Sequence, residues 1–303
     1  PDVKYSLMRA KDPDIGSPVR KSLNVVEDIE VVDQHTVKMK LSTSFADFPL
    51  LLTDYRLRMI PEGSGDTIGQ TGVGTGPFMV DKFDPEGTTI LKANPDYWEG
   101  APGVAEVHVI AIPDAQARIQ ALLTGQIDMN RYVPFNQKKI FDSNSKFTTT
   151  VIPTGNWRGV VMRTDTAPFD NPKVRKAFRL AVDRQELVDL VMGGAATVSC
   201  DTPVMPSDQY RLQMDCPQNI SKAKNLLREA GYPNGIELTV YPATLEPTWP
   251  TIAEVVQQQV AKAGIKVNIE MVPSKGYWNE VWMKKPVSMT RWNQRPADTI
   301  LHE

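Results

Sequence analysis

Several things are scarce in this 303-residue sequence, and each scarcity narrows the function. No apolar run approaches the roughly 20 residues that a membrane-spanning helix requires. There is no excess of one charge. The formal net charge is -2, which gives no broad basic field for nucleic acid or an acidic membrane. Histidine is limited to three residues. His35 sits in a turn, His108 alternates into a strand and His302 is near the end, so no metal-ligand spacing or catalytic pairing emerges. No HExxH, GxSxG or Cys–His arrangement appears, and no spacing singles out a pair of carboxylates for acid–base work. Cysteine is limited to Cys200 and Cys216, in a segment rich in Pro, Asp and Gln with no histidine beside it. A metal site is therefore disfavoured. Two alternatives stay open for the pair, a closed loop and two unpaired thiols.

Apolar residues make up 41% and charged residues 23%, ordinary proportions for a globular chain long enough for two domains. Val3 to Ala10 reads as a short helix. Val25, Ile29 and Val31, then Val37, Met39 and Leu41, show period-two spacing around Asp33-Gln34-His35 and predict a β-hairpin with one face buried. Residues 45–60 read as a short apolar helix and a connector. The Gly-rich turn at 72–76 resembles a phosphate cradle only superficially. Pro77 and a strand-like run, rather than a helix, follow it. Residues 104–129 predict a β-α-β unit, with a helix capped by Asp114, carrying Ala117, Ala121 and Leu122 on its apolar stripe with Ile119 and Leu123 alongside, and ending at Gly125. The closing strand is Gln126-Ile127-Asp128-Met129.

A second compositional unit begins near Thr150. A strand runs through Trp157. Asn171 with Pro172 starts a helix, and Asp183 with Glu186 starts the next, which stops at Gly193-Gly194. Ala223, Leu226, Leu227 and Ala230 share the face of a further helix. The run 235–271 then reads as strand, amphipathic helix and alternating strand, a second β-α-β unit. Two such units predict two α/β lobes. Trp249 starts the helix near a strand's C-terminal end, where open α/β sheets hold ligands, with a packed loop position as the alternative. Trp278 and Trp282 read as packing residues.

Six stretches carry a family resemblance: VGTGPF (73–78), NPDYW (94–98), IPDAQARIQALLTGQIDM (112–129), NPKVRKAFRLAVDRQELV (171–188), KAKNLLREAGYPNG (222–235) and VVQQQVAKAGIKV (255–267). In order and spacing, over about Val25 to Asp298, they resemble the solute-binding proteins of ABC importers, family 5, which carry peptides, opines, nickel and some sugars. The resemblance implies a two-lobed, hinged α/β fold of the periplasmic-binding-protein type (type II), with an extra subdomain in the first lobe. Residues 1–71 would belong to that subdomain, 72–150 to the first lobe and 151–303 to the second. It implies further strands before Pro1 and further chain after Glu303, so the sequence is expected to be an internal fragment, truncated at both ends. A periplasmic monomer without a cofactor is also implied, one that delivers a small-molecule or peptide ligand to an inner-membrane permease.

Several ligand contacts follow from the resemblance. In the family's peptide binders an acid three positions after a tryptophan holds the ligand's amino group. The matching residue here is Trp292, and Arg295 stands in the acid's place. A guanidinium there suits a carboxylate, as in an opine, an acidic sugar derivative or a peptide C-terminus. The alternative for Arg295 is an ion pair. Asn293 adjoins Trp292, and Asp298 would supply the acid after a small alignment shift. Asn156 and Trp157 would face the cleft where the chain enters the second lobe, with a core tryptophan as the alternative for Trp157. Competing classes are a hydrolase and a sensor signalling through a membrane partner. The exported location that the family implies favours a disulfide between Cys200 and Cys216. Thiol titration of denatured, unreduced protein is expected to count no free thiol, and two would exclude the bond.

Overall fold

The computed structural model describes every residue except Pro153 and Glu303, and the side chains of all others except Asn136, Asp298 and His302. Two compact units result: Pro1–Ala117 with Arg295–Glu303, and Arg118–Gln294.

In the first unit, helix α1 (Asp2–Lys11) buries Ser6, Leu7 and Ala10. Strands β1 (Val26–Val31) and β2 (Val37–Leu41) form the antiparallel hairpin expected from their alternation. The Asp33 carboxylate accepts the His35 backbone N–H at 2.8 Å, closing the turn and leaving the imidazole exposed. Leu7, Val19, Leu23, Val26 and Ile29 gather with Leu51, from α2 (Phe48–Leu51), and Leu57 in this unit's core. Helix α3 (Ile68–Thr71) precedes the glycine-rich turn, and β3 (Phe78–Lys82) follows it.

Here the structure corrects the sequence reading. Strand β4 (Thr88–Ala93) pairs antiparallel with β3 on one side and with β5 (Glu106–Ile110) on the other. The region is a meander, and β5 does not enter a parallel crossover. Helix α4 (Ala115–Leu123) does follow, and Asp114 caps it by accepting the Ala117 N–H at 2.7 Å. Its buried residues, Ile119 and Ala121, both belong to the expected apolar face, whereas Ala117, expected on the same stripe, is exposed. Gln126 to Met129 form no strand. His108 also gains a partner, the carboxylate of Glu106.

The second unit contains α5 (Lys138–Asp142), β6 (Trp157–Met162), α6 (Pro172–Ala181) and α7 (Arg184–Met192). Asn171 accepts the Lys173 N–H, and Asp183 accepts those of Gln185 and Glu186, the caps their side chains predict. Cys200 and Cys216 are joined by a disulfide, with Cα atoms 5.4 Å apart. Helix α8 (Ile220–Glu229) leads to β7 (Ile236–Val240), α9 (Trp249–Ala261) and β8 (Ile265–Ile269). Strands β7 and β8 pair in parallel, so this β-α-β unit stands as read. Helix α10 (Tyr277–Glu280) and β9 (Val287–Trp292) follow, and α11 (Ala297–His302) belongs to the first unit. Strand β9 escaped the sequence reading and pairs antiparallel with β6. The buried Tyr277 hydroxyl fastens it to α10, donating to Met289 O at 2.8 Å and accepting from Met289 N at 2.9 Å.

Among the described residues no helix is long and apolar enough to cross a membrane. One core unites α6, α8, α9 and all four strands of the second unit, through residues such as Phe178, Leu227, Val260, Ile265 and Met289. The parallel strands start in close contact. Gly235 has φ +88°, and a Cβ added there would lie 2.0 Å from the carbonyl oxygen of Gly264. Gly235→Ala therefore meets both backbone strain and a collision with main chain. It is expected to cost at least about 1 kcal/mol, read from the midpoint of chemical denaturation. An unchanged midpoint would contradict this packing.

Candidate functional site

The register of β6 and β9 assembles most of the candidate residues. Trp157 lies opposite Trp292, and Arg158 opposite Arg291. Side chains alternate across a sheet, so both indoles share one face and both guanidiniums the other. The indole planes are parallel within 1°, with centroids 6.1 Å apart. That is an offset stack, favoured for aromatic pairs. Gly159 makes room for it, because a Cβ there would come within 2.9 Å of the Trp157 ring. Trp282 leans on Trp292 at 6.4 Å, and Trp278 packs on Trp282 at 6.0 Å.

Beyond the stacked pair the strands are clipped together. The Gly155 N–H donates to the Gln294 side-chain oxygen at 2.8 Å, and the Gln294 N–H donates to the Asn156 side-chain oxygen at 2.7 Å. Asn156 thus uses its carbonyl to hold backbone, a structural task added to the ligand contact expected of it. Asn293, half-buried, lies between Trp292 and this clip. Trp249 requires a larger correction. It is 0% exposed, in the second unit's core against Tyr277 at 5.0 Å, and presents no surface to a ligand. Proline at the first turn of α9 drew attention to the strand end, but the indole points into the packing between helix and sheet.

On the opposite face, two arginines side by side on neighbouring strands would repel. Glu246 resolves this, although no local pattern around it marks the role. One carboxylate oxygen accepts from Arg158 Nε at 3.2 Å and from the Thr248 hydroxyl at 3.1 Å, and the other accepts from Arg291 at 3.3 Å. Arg291 also donates to the Tyr132 hydroxyl at 3.3 Å. Burial opposes the Arg291 charge, but Tyr132 and Glu246 outweigh it and raise its pKa.

Arg295 belongs to the first unit, where Asp54, Arg56 and Tyr55 surround it. Its Nε stands 3.6 Å from Asp54 Oδ2. Asp54 is held more tightly by Arg56, which donates its backbone N–H and Nε to Oδ1, each at 2.9 Å, and a terminal nitrogen to Oδ2 at 2.7 Å. Burial raises the Asp54 pKa, yet hydrogen bonds and charge from Arg56, with charge from Arg295, leave it below the ordinary carboxylate value. Stability drawn from this carboxylate is thus present above the unfolded value of about 3.9 and is lost as pH falls through the lower folded value. The expected side chain of Asp298 lies outside the described residues. No group of three or more metal-ligating side chains occurs among those described.

A family model described as bacterial extracellular solute-binding proteins, family 5, middle region, matches residues 1–300. The glutathione-binding protein GsiB of Pectobacterium atrosepticum is 31% identical over 273 residues, covering 88% of this chain and 53% of that protein. The chain therefore spans about half the length of the curated relatives it matches. Among solved structures, the binding protein AgaA in complex with agropinic acid, from A. tumefacien R10, superposes with a TM-score of 0.85 at 26% identity, over 99% of this chain and 63% of that one. The periplasmic binding protein DppA of Helicobacter pylori, in complex with the peptide STSA, gives 0.84 at 24% identity, over 99% and 63%.

The Glu246 cluster is directly testable. Glu246→Gln keeps the shape but removes the charge that both arginines face. It is expected to lower stability by about 1.5–3 kcal/mol, the range for hydrogen bonds to charged groups, measured by denaturant titration. No change would mean that solvent already balances the two guanidiniums.

Proposed function

The chain belongs to the bacterial extracellular solute-binding proteins of family 5, and from that premise we propose that it is part of the capture subunit of an ABC importer for a small, carboxylate-bearing solute. The observation that carries this reading is the family match over residues 1–300. The class of solute draws on two further points. GsiB is named for glutathione, AgaA was solved with agropinic acid and DppA with a peptide, all compounds bearing a carboxylate. A guanidinium, Arg295, follows Trp292 by three positions.

The mechanism is recognition without covalent chemistry. Two lobes close over the solute, and the closed form passes it to a permease. A ligand favours closure only by its extra affinity for the closed state, so its contacts must come from both lobes. In the complete protein, residues 1–71 would serve the extra subdomain, 72–150 the first lobe and 151–303 the second. Trp157 and Trp292 supply an aromatic surface, Asn293 an amide and Arg295 the carboxylate clamp. The subunit works as a periplasmic monomer.

Native mass spectrometry of the full-length protein and of the 303-residue chain, each offered peptides, opines, glutathione and acidic sugars, tests the reading. The full-length protein is expected to retain one carboxylate-bearing member unchanged, with no turnover. Retention of none, or conversion of any, would overturn it. For the retained solute, Arg295→Ala should weaken binding by about 1.5–3 kcal/mol, measured by calorimetry. Unchanged affinity would remove Arg295 from the site.

A further inference from the structure

Around Tyr132 the second unit gathers more positive charge than its own carboxylates answer. The Arg291 guanidinium stands 5.9 Å from the centre of the Tyr132 ring and donates to its hydroxyl, and that of Arg131 stands 5.4 Å from the same ring. Arg158 lies opposite Arg291 on the paired strand. Among the described residues, Glu246 is the only carboxylate within ion-pair distance of any of these three arginines. Glu246 lies in the connection between β7 and α9, at the carboxyl end of the parallel strands. That is the edge at which open α/β sheets bind ligands.

The way Arg158 meets Glu246 sets it apart from the structural arginines of the same unit. Arg163 grips Asp165, and Arg184 grips Asp201, each with two nitrogens on the two carboxylate oxygens. Such two-pronged pairs are the strong form of the interaction. Arg158 gives Glu246 its Nε alone, at 3.2 Å. Neither terminal nitrogen of Arg158 has an acceptor among the described residues, and neither is sealed from solvent. Arg291 likewise commits one terminal nitrogen, which serves both Glu246 and Tyr132. The Glu246 side chain is 6% exposed, against 21% for Arg158 and 32% for Arg291. The carboxylate is enclosed, and the outer fork of Arg158 stays open.

We propose that Arg158, with Arg291 and Arg131 beside it, forms a subsite for one carboxylate group of the solute, bound on the terminal nitrogens of Arg158. The proposal rests on the reading of the chain as a solute-binding protein and gives the solute's acid a contact that does not depend on Arg295. The three guanidiniums draw an anion to the patch. The planar fork then fixes it with two parallel hydrogen bonds. Burial of the Glu246 pair holds the Nε edge of Arg158, so the fork is partly ordered before the anion arrives. Lysine at 158 would keep the charge but lose the fork.

Acetate is the probe, exchanged for chloride at constant ionic strength and neutral pH, with the full-length protein carrying isotopically labelled arginine and observed by NMR. The side-chain Nε–H resonance of Arg158 is identified by its absence from Arg158→Lys or Arg158→Gln. It is expected to shift with acetate and to saturate, while that of the exposed Arg163, paired with Asp165, does not. For the solute that the full-length protein retains, Arg158→Lys should weaken binding about tenfold or more by calorimetry. Should both variants fail to fold, saturable acetate shifts confined to three arginine resonances of the wild type decide. No saturable shift, an equal shift at Arg163, or a shift with inorganic phosphate and none with acetate would overturn the proposal. A saturable Arg158 shift in a protein that retains no solute would uphold the subsite and overturn the importer reading. A retained solute bound equally by wild type and Arg158→Lys would overturn the subsite alone.

Discussion

The pairing of β6 with β9 is the constraint on which the candidate site in the second unit depends. The clip between Asn156 and Gln294 joins residues 138 positions apart, so no local preference creates it. One register brings Trp157 to Trp292 and Arg158 to Arg291. A slip of one residue would send each side chain to the other face, placing guanidiniums among indoles and indoles against Glu246. Three independent features oppose that slip: the aromatic stack over Gly159, the carboxylate between the arginines and the reciprocal amide clip. Tyr277 adds a fourth from outside the sheet, through both backbone groups of Met289. The aromatic surface is held by a network that fails together or holds together.

What could be read in the sequence follows from the range of each interaction. Caps such as Asn171 and Asp183 act within three residues, and their signatures were plain. The hairpin of β1 and β2 is local too, and so is the strand–helix–strand run through α9. Strand β4 was missed because Thr88 to Leu91 are all half-buried, which erases the alternation that marks a strand with one wet face. Without a signal for β4, the residues alone pair β5 with the segment after α4, and a meander reads as a crossover. Strand β9 hid for a related reason, since Val287 to Thr290 are buried on both faces.

The site divides along the same line. The residues at 156–157 and 292–295 came into view through the family resemblance and not through a local pattern. Their partners did not. Glu246 lies 88 positions from Arg158, and nothing around it marks it as buried. Asp54 and Arg56 sit in a connector whose charges look like a solvated turn. Trp249 misled for the opposite reason, since its position beside prolines at a strand end resembles a ligand-facing turn while its indole is wholly enclosed.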